Sequence, residues 1–184
     1  MPANRRDDAP PASWARELFR RDDWVLFDTE TTGLDGGAEI IDLALLDRDG
    51  VVLFDTLLRP QRPIPPVVSR VHGLHDHHVR GAPTCPAIWP QLRPLLHGRT
   101  IIAYNVSFDA RLLRQTAARH GVPLVIHDQD SVVRRYAAWR ATSGRATLRL
   151  ERACQAHGIP VGGHRAAADC RATLALLRVM AVSS

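Results

Sequence analysis

The dipeptide Asp49-Gly50, set between the strand-like runs Glu39–Asp47 and Val51–Arg59, does most to narrow what this chain can fold into. Asp-Gly suits the centre of a tight hairpin, where glycine accepts the positive φ that such turns demand. A third apolar run, Trp24–Asp28, precedes the pair, so three consecutive strands predict an antiparallel meander. Thr100–Tyr104 and Leu124–His127 read as a fourth and a fifth strand, separated by a helix over Val106–His120 that Gly121 and Pro123 terminate. Hairpin-linked strands followed by strand–helix alternation predict an α/β fold, a mixed five-stranded sheet flanked by helices with the first strand central.

The remaining segments supply the flanking layers. Ser13 is a candidate cap for a short helix with Trp14 and Leu18 on one face. After the proline-rich link of Pro60, Pro63, Pro65 and Pro66, helical pieces are expected over Val67–Val71 and Cys85–Leu96, then over 131–140, 147–157 and 166–180. Residues 1–12 are charged and proline-rich and read as a mobile arm, which leaves 13–184 as one domain. A length of 184 residues suffices for such a core.

Composition excludes several classes. Cys85, Cys154 and Cys170 are odd in number and scattered, against a disulfide scaffold or a zinc finger. No apolar leader or membrane-length stretch is visible, so a cytoplasmic protein without membrane association is expected. The net charge is +5, and every basic residue is arginine. Guanidinium groups suit bidentate phosphate contacts, so a nucleic-acid partner fits the balance.

The chemistry concentrates where the first strand ends. In Phe27-Asp28-Thr29-Glu30, alternation along the strand sends Asp28 and Glu30 to the same side of the sheet. Two crowded carboxylates at a strand end repel and lose hydration unless a cation compensates. The segment lacks cysteine and histidine, which favours a hard ion such as Mg2+ or Mn2+. A bare pair of this kind is, however, most often an exposed strand end with solvated acids.

With Thr31-Thr32-Gly33-Leu34 following directly, the segment resembles the first motif of the DnaQ-like DEDDh family of 3′→5′ exonucleases, which includes the proofreading subunit of bacterial DNA polymerase III. Ala103-Tyr104-Asn105-Val106-Ser107-Phe108-Asp109 resembles the second motif, with Ser107 as a candidate helix cap and Asp109 in the first turn. His164-Arg165-Ala166-Ala167-Ala168-Asp169 resembles the third. A continuous helix would splay His164 from Asp169, so the histidine is expected on the loop opened by Gly162-Gly163 and the aspartate on the helix. Relatives of the tyrosine type carry Tyr four residues before the last acid, where Arg165 stands here, which favours the histidine type.

The resemblance, over residues 22 to 180, implies a ribonuclease H-like fold and two-metal hydrolysis of the 3′-terminal phosphodiester to 5′-mononucleotides. It implies two divalent cations held by Asp28, Glu30, Asp109 and Asp169, with Asp28 bridging them and His164 as general base. It further implies that Thr31, Thr32, Gly33 and Leu34 position the last nucleotide, with Leu34 as a wedge, and that His72, Asn105 and Phe108 line the cleft.

Other readings stay open. DNA is favoured over RNA as substrate by the wording of the first motif, with an RNase T or oligoribonuclease type of activity as the rival and a non-catalytic nucleic-acid-binding module behind both. A DNA polymerase is a candidate partner. Because the chain runs only to Ser184 after Asp169, without an extended tail, a stand-alone repair or turnover enzyme, or an excised catalytic domain, is expected equally. The histidines at 72, 75, 77 and 78 read as a solvated loop ahead of a zinc site. Arg134, Arg135, Arg140, Arg145 and Arg149 either steer nucleic acid or form solvated faces.

Overall fold

The computed structural model describes residues 9–140 and 149–183. Most of the expected N-terminal arm, Arg145, and the first two residues of the helix expected over 147–157 lie outside the described residues.

Strands β1 (Trp24–Thr31), β2 (Ile40–Leu46), β3 (Val52–Leu57), β4 (Thr100–Ala103) and β5 (Asp128–Ser131) form one sheet in the order β3-β2-β1-β4-β5. The β1–β2 and β2–β3 pairs are antiparallel, and the β1–β4 and β4–β5 pairs are parallel. The mixed sheet with β1 at its centre is therefore as expected. Gly50 adopts φ +93° at the β2–β3 turn, the conformation for which the Asp-Gly signal was read. Its partner Asp47 ties the turn together by accepting from the Asp49 and Val51 amides.

Strand alternation divides the core into two layers. Val25 and Phe27 pack with Leu43, Leu45 and Ile101 beneath α4 (Cys85–Leu96) and α5 (Val106–Arg119). Trp24 and Leu26 pack with Leu46 and Ile102 on the opposite face, beneath α1 (Pro11–Arg20), α6 (Val132–Trp139) and α8 (Ala166–Val182). A short α2 (Pro66–His72), α3 (Asp76–Val79) and α7 (Leu150–Gln155) complete the order. The histidine-rich segment is thus partly helical, and among its members His72 is buried.

Three local expectations are corrected. Helix α1 begins at Pro11 with Pro10 at its N-cap, a first turn where a missing N–H is harmless, and Ser13 accepts a bond from Arg16 instead of capping. Ser107 caps nothing, because α5 already starts at Val106. The fifth strand is Asp128–Ser131 and not Leu124–His127. Leu124 and Ile126 do pack on the core, and Pro123 accepts from the Trp89 indole, but β4 spans only Thr100–Ala103 and its register pairs Thr100 with Asp128. The apolar run therefore precedes the hydrogen-bonded one. Among the described residues, no helix is long and apolar enough to cross a membrane.

Candidate active site

The acids singled out from the sequence stand on three elements, β1, α5 and α8. Asp28 and Glu30 follow Trp24 and Leu26 onto the α8 face of β1, where α8 presents Asp169 in its first turn. Asp109 sits in the first turn of α5 and is buried, and its Oδ1 accepts a hydrogen bond from the Thr29 hydroxyl at 2.9 Å. Thr29, between the two acids of β1, thereby holds the acid of the second motif. Gly162 approaches α8 so closely that a Cβ there would lie 2.9 Å from Ala168 Cα and C. The Gly162 backbone also hydrogen-bonds the Asp169 carboxylate. His164 follows Gly163 on the loop rather than the helix, with φ +56°, a left-handed conformation rare for a side-chain-bearing residue.

This arrangement places ligand atoms of Glu30, His164 and Asp169 within 4.8 Å of one another. Asp28 and Asp109 lie outside that close group but within reach of its charge. Burial pushes the Asp28 carboxyl well above its usual range, and the charges of Asp109, Asp169, Glu30 and Asp42 push it further. Glu30 is raised to about 8, by burial first and then by Asp169 and Asp42. Burial raises Asp109 to about 7, against the Thr29 hydrogen bond, and raises Asp169, against the nearby charge of His164. Four carboxyls whose ionisation is each made harder by burial form a donor set short of positive charge. Carboxylate oxygens with one imidazole are what a hard divalent cation accepts, so the residues fit such an ion.

Two residues outside the motif acids hold the loop. Glu151 of α7 places Oε1 3.3 Å from His164 Nε2. Asp42 of β2, paired in register with Glu30, accepts from Arg165 Nε at 2.7 Å and from the Ala166 amide at 3.3 Å. Sequence reading missed both. An acid in the otherwise apolar run Ile40–Leu46 was the available signal for Asp42, whereas nothing in the sequence marks Glu151.

The candidate substrate residues divide. Leu34 is 77% exposed on the loop after β1, and Asn105 is exposed at the start of α5. Phe108 is half-buried beneath the Arg111 guanidinium, 5.3 Å from the ring centroid. The Thr31 hydroxyl donates to the Gly33 carbonyl, and the Thr32 hydroxyl accepts from the Glu39 amide. His72 is buried, its Nδ1 accepts from the Leu74 amide, and burial lowers its pKa. One stripe of α5 clasps the Leu34 loop: Arg111 donates to the Leu34 carbonyl, Gln115 to those of Asp35 and Ala38, and Arg119 to that of Gly36.

The family model described as Exonuclease (RNase_T) matches residues 25–177. The uncharacterized exonuclease CP81 of Escherichia phage 186 is 34% identical over 172 residues, 87% of this chain and 89% of that protein. The DNA polymerase III subunit epsilon of Treponema pallidum (strain Nichols) is 30% identical over 175 residues, 91% of this chain and 80% of that protein. Among solved structures, Exonuclease X in complex with 5′ overhanging duplex DNA is similar with a TM-score of 0.63 and 26% identity, covering 85% of this chain and 90% of that one.

Proposed function

Because the chain belongs to the Exonuclease family, in its DnaQ-like DEDDh branch, we propose that it removes nucleotides from the 3′ end of DNA, preferring single-stranded or frayed ends. The products are 5′-mononucleotides. The observation that carries this reading is the convergence of Glu30, His164 and Asp169 within 4.8 Å, beside the charge of Asp28 and Asp109.

In this reading Asp28, Glu30, Asp109 and Asp169 hold two divalent cations, Mg2+ or Mn2+. When bound, these ions neutralise the developing phosphate charge and make water acidic enough to attack at neutral pH. His164 takes up the proton that the attacking water gives away while the bond from phosphorus to the 3′ oxygen breaks. Glu151, with Oε1 3.3 Å from Nε2, stabilises the imidazolium that this transfer creates. Leu34 wedges the terminal base, the backbone of residues 31–33 flanks it, and Asn105 and Phe108 line the approach. The likeness to an epsilon subunit supports a DNA polymerase as the partner that delivers 3′ ends.

The test is Mn2+-dependent release of 5′-mononucleotides from matched single-stranded DNA and RNA oligomers. Asp28→Ala and His164→Ala are each expected to lose about 10³-fold or more in rate. Normal DNA binding with no nucleotide release by the wild type would sink the enzyme reading, and faster loss of RNA would transfer the activity to RNA.

A further inference from the structure

We propose that Arg165 grips a backbone phosphate of the substrate with the Nη1/Nη2 edge of its guanidinium, a role that rests on the exonuclease reading above. Arg165 lies directly after His164 and before the first residue of α8. Its Nε donates at 2.7 Å to Asp42, a carboxylate 1% exposed, whereas the arginine side chain itself is 49% exposed. The buried acid thus fixes one corner of the guanidinium and leaves the rest at the surface.

Three further observations make this more than an anchor. Among the described residues, no hydrogen bond engages the Nη groups of Arg165. Asp42, to which Nε is tied, is the register partner of Glu30 across the β1–β2 pair, so Arg165 is anchored beside the carboxylate cluster. A substrate phosphate must approach the cluster of Asp28, Glu30, Asp109 and Asp169 closely, and among the described residues Arg165 brings a fixed positive charge beside it. A guanidinium locked at Nε presents two parallel N–H donors without further ordering, which matches two phosphate oxygens, whereas a lysine ammonium is a single mobile point charge. Asp42 then has a reason to be an acid inside an apolar strand. It aims Arg165, and it ties the start of α8 to the strand that neighbours Glu30.

The test compares wild type, Arg165→Gln and Arg165→Lys in steady-state release of mononucleotides from a single-stranded DNA oligomer over a series of salt concentrations. Arg165→Gln is expected to raise KM about tenfold, more than it lowers kcat, and to flatten the dependence of log KM on log salt by about 0.7, the loss of one phosphate contact. Arg165→Lys is expected to keep the salt slope, because the charge remains, and to raise KM several-fold, because the fork is gone. An Arg165→Gln loss confined to kcat with an unchanged slope would overturn the proposal and leave Arg165 as an anchor of α8. If Arg165→Gln melts before assay, a wild-type KM in Arg165→Lys overturns it instead. A wild type that releases no nucleotide fails the exonuclease reading itself, whereas wild-type turnover with unmoved variants fails this proposal alone.

Discussion

Stripping divalent cations from the protein should make its stability fall as the pH rises. In the fold the Glu30 carboxyl titrates at about 8, against an ordinary value of 4.5, and Asp109 titrates at about 7, against 3.8. Below about pH 4 both groups are protonated in the folded and the unfolded chain and contribute nothing. Between the two values the unfolded chain gives up these protons and the folded chain keeps them, so unfolding is favoured progressively as pH rises through the interval. At about 1.4 kcal/mol per pH unit, Glu30 alone is worth up to about 5 kcal/mol, and water reaching its half-buried carboxylate cuts this to about 2 kcal/mol. That corresponds to a melting temperature lower by roughly 4–8 °C at about pH 8 than at about pH 5. Circular-dichroism melts in chelator should show the fall, and saturating Mn2+, which favours the ionised carboxylates, should flatten or reverse it. Glu30→Gln, lacking one of the crowded charges, should melt higher than wild type in chelator at the upper pH. A metal-free melting temperature that is level or rising across this range would refute the electrostatic account of the site.

Two further substitutions probe its construction. Gly162→Ala forces a Cβ into Ala168 of α8, so the loop bearing His164 must shift; a loss of about 10²-fold in kcat with about 1–3 kcal/mol of stability is expected from turnover and melting. Thr29→Val preserves shape but removes the donor to Asp109; it should cost about 1 kcal/mol and raise the Mn2+ concentration needed for half-maximal activity, read by titrating the metal in the nuclease assay.

The legible parts of this molecule were those written in local pattern. Strand alternation puts Asp28 and Glu30 on one face, and the Gly162-Gly163 pair marks the break that keeps His164 off α8. The fifth strand was misplaced because periodicity reports which residues face the core, and Leu124 and Ile126 do, while the ladder depends on where the short β4 ends. Contacts joining distant positions left no local trace. Asp42 and Arg165 are 123 residues apart and Thr29 and Asp109 are 80 apart, and each meets its partner only through the sheet order. The bonding of the Thr31 and Thr32 hydroxyls to backbone was likewise invisible, since a threonine after a strand reads the same whether it faces ligand or backbone.

The placement of the acids also bears on when a newly made chain can cut. Asp28 and Glu30 are made before Asp169, which belongs to the helix that comes last among the described elements and that packs across both α1 and β1. His164, Arg165 and the clasp on Asp42 arrive with it. A polypeptide cut before His164 therefore keeps Asp28, Glu30 and Asp109 but lacks Asp169 and the proposed proton acceptor. Such fragments should be harmless to nucleic acid, and the docking of one helix is the event that arms the nuclease.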